Sequence, residues 1–124
     1  MANTGPLIAV VDDDASVLKA VTRLLRARGF NAVPYGSAQD FLAALPAGHP
    51  DCLVLDLQMP GMTGLELLHH LQREGLRIPT IVITAHGDTD ALERCVSAGA
   101  SSCLQKPLQD ASLFAAIDAA TNGH

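Results

Sequence analysis

Three apolar or β-branched blocks, Leu7–Val11, 52–55 and Thr80–Thr84, are only four or five residues long and alternate with longer segments of helical period. Short runs of this kind, bounded by polar residues, read as strands covered on both faces, the pattern of a parallel sheet. After the first block, Val17, Leu18, Val21, Leu24 and Leu25 fall along one helical stripe, which Gly29 closes. Ser37 is placed to cap a second helix carrying Phe41, Leu42 and Leu45. The stretch TGLE at 63–66 has the spacing of a capping box and introduces Leu67, Leu68 and Leu71. Asp88 or Thr89 opens a fourth helix through Leu92, Cys95 and Val96 to Gly99, and Gln109 onward, with Leu113 and Ile117, forms a fifth. Strands alternating with helices pair in parallel through right-handed crossovers, so helices cover both faces of the sheet. Two weaker strands, Asn31–Tyr35 and the half-polar 101–105, belong at edges, the first because Pro34 cannot donate to a ladder. The sequence therefore predicts an α/β fold with a doubly wound, five-stranded parallel sheet of order 2-1-3-4-5, flanked by five helices.

The chain of 124 residues reads as a single domain spanning 1–124, with its core at about 7–121, and contains no repeat or low-complexity run. Its composition is 48% hydrophobic and 3% aromatic, so the core must be built from aliphatic side chains. A net charge of -5, with eight Lys and Arg scattered along the chain, argues against direct nucleic-acid binding, which needs clustered cations to neutralise phosphates. Action on DNA would require another domain. Cys52, Cys95 and Cys103 have neither disulfide nor zinc spacing and read as small buried residues in a reducing compartment. The first apolar block is too short for a signal peptide or a membrane span, so a cytoplasmic location without membrane association is expected.

In a doubly wound sheet, ligands sit beyond the carboxyl ends of the strands, near the point where the winding reverses. The first strand runs into Asp12, Asp13 and Asp14; the third ends at Asp56; the fourth ends at Thr84; the fifth is followed by Lys106 and Pro107. Taken singly, each has an ordinary reading. Asp14 fits a helix cap, Asp56 a turn and Thr84 strand filler. Together they place carboxylates, a hydroxyl and an ammonium on one rim. Mg²⁺ prefers oxygen ligands and is commonly held by one or two carboxylates with phosphate oxygens, so Asp12, Asp13 and Asp56 are the candidate metal residues. A carboxylate is also a nucleophile toward phosphorus, and Asp56 is the best placed to act as one.

The stretches VVDDD, LVLDLQMPGMTG, VITAHGD, SAGA and LQKPL closely resemble the receiver domain of two-component response regulators, over residues 7 to about 120. DCLVLDLQMPGMTGLELL and ITAHGD are more similar to the FixJ/NarL-like branch than to the chemotaxis branch. The resemblance implies a flavodoxin-like receiver fold and a signalling switch, not a metabolic enzyme. It implies that Asp56 accepts a phosphoryl group from a histidine kinase. Asp13, Asp56 and the main-chain carbonyl of Gln58 would bind Mg²⁺, with Asp12 acting through a metal-bound water. Thr84 and Lys106 would contact the phosphoryl group, and the Lys106–Pro107 bond is expected to be cis. Phosphorylation would remodel the surface of the fourth helix, fifth strand and fifth helix, controlling homodimerisation or an output domain, one that binds DNA if the native chain is longer.

The sequence departs from this family at Cys103, where an aromatic switch residue usually stands three positions before the lysine. A thiol cannot make the same bulky swing, so aromatic coupling is in doubt. The resemblance implies that Gln58 and His86 occupy places where dephosphorylation is tuned, although His86 also fits a surface histidine. His69 and His70 are expected to face solvent. Three other readings share parts of the pattern. A flavin protein would need a phosphate cradle where DDDAS stands; an aspartyl phosphatase would carry Asp at position 58 instead of Gln58; an interaction module would keep the fold without using phosphorylation.

Overall fold

The computed structural model describes residues 5–59, 61–85 and 87–122. It contains β1 (Leu7–Val11), α1 (Ala15–Ala27), β2 (Asn31–Tyr35), α2 (Ala38–Ala44), a short 3₁₀ turn (Leu45–Ala47) and β3 (Cys52–Asp56). There follow α3 (Gly64–Arg73), β4 (Thr80–Thr84), α4 (Thr89–Ser97), β5 (Ser102–Gln105) and α5 (Asp110–Asn122). All strand pairs are parallel, and the sheet order is β2-β1-β3-β4-β5, as the alternation of blocks predicts. β5 begins one residue later than expected from the sequence, and α5 starts at Asp110 instead of Gln109.

The burial pattern explains the strand order. Every residue of β3 and β4 is buried, so these two strands must be central. In β2, Pro34 is exposed and pairs in register with Val10 of β1, leaving its missing N–H without consequence at the sheet edge. β5, half-buried throughout, forms the other edge. Side chains alternate between two aliphatic cores, as the two-residue period of a strand requires. Ala9, Val11, Leu53, Leu55 and Val82 join α2, α3 and α4 on one face, where Phe41 is fully buried. Ile8, Val10, Val54, Ile81 and Ile83 join α1 and α5 on the other, against Leu25, Leu113 and Ile117.

The helix signals operate at the residues that carry them. The Asp14 carboxylate accepts from the N–H groups of Ser16 and Val17 at 2.9 and 3.3 Å, opening α1, and Ser37 Oγ accepts from Asp40 N–H to open α2. Thr63 and Glu66 form a reciprocal capping box on α3. Asp88 caps α4 by accepting from Ala91 N–H. Gly29, at φ +96°, lets the chain reverse after α1 and enter β2. Two of the three cysteines, Cys52 and Cys95, are buried as expected, but Cys103 is only half-buried, because β5 is an edge strand and its α4 side is incompletely covered. Of the two α3 histidines, His69 is exposed and His70 half-exposed. No described helix is long and apolar enough to cross a membrane.

Candidate functional site

The three aspartates after β1 are held for different tasks by the turn that follows the strand. Asp12 is buried, its N–H donates to Tyr35 carbonyl at 3.2 Å, and its Oδ1 accepts from Asp14 N–H at 2.9 Å. Asp14 caps α1, and Asp13 between them is exposed. Asp56, the last residue of β3, is buried at the neighbouring strand end. Carboxylate oxygens of Asp12, Asp13 and Asp56 all lie within 4.8 Å of one another. Gln58 is exposed, and its N–H donates to Asp56 Oδ1 at 3.4 Å.

The other side of the rim comes from β4 and β5. Lys106 N–H donates to Thr84 carbonyl at 2.9 Å, so the ladder continues past the strand ends and fixes the two residues side by side. The Lys106–Pro107 peptide bond is cis. Lys106 Nζ lies 3.9 Å from Asp56 Oδ1, with the lysine side chain 47% exposed and the aspartate 7%. Among the described residues, the Thr84 hydroxyl is buried and has no hydrogen-bond partner. A buried hydroxyl in that state costs about 1–3 kcal/mol, so the site carries an unmet demand for a polar group. His86 lies outside the described residues.

The electrostatics follow from this crowding. Burial, then the Asp12 carboxylate, push Asp56 up to about 6 against the pull of Lys106 and the Gln58 N–H. Asp12 is also raised, first by burial and further by Asp13, against its hydrogen bond from Asp14 N–H and the charge of Lys106. Two buried acids thus disfavour each other's ionisation, because one ammonium, 3.9 Å from Asp56, does not neutralise both. An all-oxygen, crowded and under-neutralised donor set fits a hard divalent cation such as Mg²⁺. The structure therefore brings Asp12, Asp13, Asp56, Thr84 and Lys106 to one rim, with Gln58 beside it.

Gly64 is a positioning residue that the sequence pattern left hidden. As the first residue of α3 it lies against the end of β3; a Cβ there would stand 2.7 Å from Asp56 carbonyl O and 2.8 Å from Leu57 Cα. Only a hydrogen fits. The Gly64 N–H donates to Leu57 carbonyl at 3.0 Å, and Leu57 N–H in turn to Ile83 carbonyl at 3.0 Å, tying the residue that follows Asp56 to both α3 and β4. The glycine is visible in MTGLE, but there it reads as part of the helix cap, since nothing local reports the approach of β3.

Comparison with known proteins agrees with this geometry. The response regulator receiver domain family matches residues 8–118. The chain belongs to that family and is a receiver domain of the two-component response regulators. It is 39% identical over 120 residues to Nodulation protein W of Bradyrhizobium diazoefficiens, covering 97% of this chain and 53% of that protein. It is 39% identical over 114 residues to the transcriptional regulatory protein FixJ of Rhizobium meliloti, covering 92% of this chain and 56% of that protein. The crystal structure of FixJ-N superposes with a TM-score of 0.91 at 36% identity, covering 98% of this chain and 97% of that one. The chain thus spans about half the length of these curated relatives.

Proposed function

We propose that this domain is a phosphorylation switch in which Asp56 takes a phosphoryl group from the phosphohistidine of a histidine kinase. The observation that carries the reading is the convergence at Asp56: Asp12 and Asp13 carboxylates on one side, Lys106 Nζ at 3.9 Å, and the partnerless Thr84 hydroxyl on the next strand. Asp12, Asp13, Asp56 and the Gln58 carbonyl would hold Mg²⁺. When bound, the ion supplies positive charge that offsets repulsion between the carboxylates and the incoming phosphoryl oxygens.

Asp56 attacks as the carboxylate. An oxygen–phosphorus bond forms as the donor's nitrogen–phosphorus bond breaks, and the released imidazole takes up a proton. Lys106 stands beside the reacting oxygen and attracts the phosphoryl group as it arrives. Thr84 then gains the acceptor its hydroxyl lacks, and the strand end moves to meet it. Two charge-assisted hydrogen bonds at about 1.5–3 kcal/mol each bias the phosphorylated form by roughly 3–6 kcal/mol. Taking a population from 1:99 to 99:1 needs about 5.5 kcal/mol, so these contacts suffice if both form only in the active state. The responding surface is α4, β5 and α5, which controls homodimerisation or a transcriptional output domain. Gln58 and His86 tune the dephosphorylation rate. With Cys103 on β5, Thr84 and its loop carry the change without an aromatic partner.

Incubation with acetyl phosphate and Mg²⁺, followed by intact mass measurement, tests the reading. One added phosphoryl mass is expected, dependent on Mg²⁺ and absent in Asp56→Asn. No adduct under saturating donor would instead favour an interaction module that keeps the fold without being phosphorylated.

A further inference from the structure

The fold gathers charge of opposite sign on opposite faces of the sheet. Four of the chain's eight Lys and Arg, Lys19, Arg23, Arg26 and Arg28, stand on α1 or its C-terminal cap, and no Asp or Glu lies between 15 and 28, although the net charge of the chain is -5. Lys19, Arg23 and Arg26, spaced i, i+4 and i+7, are exposed along one stripe of the helix. The stripe borders a groove of about 370 Å³ between α1 and the edge strand β2, lined by Leu18, Thr22 and Pro34 and by no acidic side chain. Thr22 is buried and its hydroxyl donates to Leu18 carbonyl at 2.6 Å, so the groove offers apolar surface with cations along its rim. Arg28 stands apart, over the Phe114 ring of α5 at 4.3 Å. Among the described residues, Lys19 and Arg23 have no ion-pair partner.

α4, on the other face, carries the complementary pattern. Asp90, Glu93 and Val96 follow at three-residue steps on its outer side, all exposed, Val96 by 64%. A single exposed valine is ordinary. Here two acids precede it, and the cation on the same helix, Arg94, is tied to its own backbone, its Nε donating to Asp90 carbonyl at 3.3 Å. We propose that the α1 groove is a docking site for α4 of a second copy of this chain, with Val96 seated in the groove and Asp90 and Glu93 set against Lys19, Arg23 and Arg26.

The charges and the topology together select a second copy. α1 packs on the core that holds Ile8, Val10 and Val54, and α4 on the core that holds Leu53, Leu55 and Val82, so the sheet stands between groove and valine and one molecule cannot close the contact on itself. Pairing α1 with α1 would set cations against cations, and α4 with α4 would set carboxylates against carboxylates; unlike faces attract. Such a contact is heterologous. It leaves a free groove on one molecule and a free α4 on the other, so copies add in a row instead of stopping at a symmetric pair. It goes beyond the phosphorylation switch and uses neither Asp56 nor a metal, so the two readings stand or fall separately.

Sedimentation velocity of the unphosphorylated, metal-free protein, up to millimolar concentration, tests the contact. In low salt the mean mass should climb with concentration, and at ~1 M NaCl, where the screening length falls to about 3 Å, it should return to that of the monomer. Arg23→Glu spoils the groove and Val96→Lys the helix that enters it, both at exposed positions. Each variant alone should sediment as a monomer, yet an equal mixture should associate again, because it holds one intact groove and one intact α4. Should either variant differ from the wild type by circular dichroism, Lys19→Glu and Glu93→Lys take their places in the same mixing experiment. The proposal is overturned if the wild type stays monomeric at every concentration in low salt, if the mixture stays monomeric, or if Arg23→Glu associates as the wild type does, which would mean that like faces meet through α4.

Discussion

Asp56 is an acid buried beside another acid, and its titration makes the metal-free site a source of instability. Its ordinary value of 3.8 rises to about 6 in the folded chain, so the folded state binds the proton more tightly than the unfolded one. Its contribution to stability is complete below 3.8 and is lost as the pH rises through about 6. Without metal, Asp56→Asn should therefore raise the unfolding free energy by about 1–3 kcal/mol at mildly alkaline pH, with the gain vanishing toward pH 4, in urea titrations. Added Mg²⁺ should stabilise the wild type and do little for the variant. Thr84 makes a parallel case. Its hydroxyl is buried and partnerless, so Thr84→Val should leave the unphosphorylated fold unchanged or more stable by about 1 kcal/mol, while shortening the life of the phosphorylated state. The acids, the hydroxyl and the lysine were legible in the sequence because each stands at the end of a recognisable strand. The partnerless state of Thr84 and the mutual raising of the Asp12 and Asp56 carboxyls were not, since both depend on distances between strands remote in sequence.

At the scale of the elements, α3 shows how a cap and a packing constraint are separable although they are adjacent in the chain. Thr63→Ala removes the hydroxyl that accepts from Glu66 N–H and should cost about 0.5–2 kcal/mol of stability without changing the rate at which Asp56 is phosphorylated. Gly64→Ala drives a methyl into the Asp56 carbonyl and Leu57 Cα. Because the obstacle is backbone, the strand end or the helix must shift, at a cost of about 1–3 kcal/mol. Labelling by acetyl phosphate should then slow well beyond what the Thr63 variant shows. Equal labelling rates in the two variants would mean that the approach of α3 does not position Asp56. Caps and helix stripes are local and were read directly, down to Asp14, Ser37 and the TGLE box, with Asp88 one of the two residues offered for the start of α4. The half-exposure of Cys103 escaped the sequence reading because residue type reports hydrophobicity, whereas coverage at an edge depends on how far α4 reaches over β5.

The whole molecule rests on two thin aliphatic cores separated by one sheet, and few side chains are large enough to hold each together. Phe41 is the bulkiest fully buried residue and joins α2 to the sheet, with its ring edge-on to Tyr35 at 5.6 Å. Phe41→Ala should cost about 3–5 kcal/mol in urea unfolding, with secondary structure and sheet order retained. The strand order was legible because the chain marks its own edges, with Pro34 in β2 and polar residues in β5, and its own centre, with the uninterrupted β3 and β4. That order in turn places the ends of β1, β3, β4 and β5 on one rim, and the proposed chemistry depends on that placement. The covalent identity of the phosphorylated group is accordingly the most direct test. An aspartyl phosphate is an acyl phosphate, and borohydride reduces it to homoserine. After labelling with acetyl phosphate and Mg²⁺, reduction and peptide sequencing should find homoserine at position 56 and nowhere else; an intact Asp56 with phosphate on another residue would contradict the account.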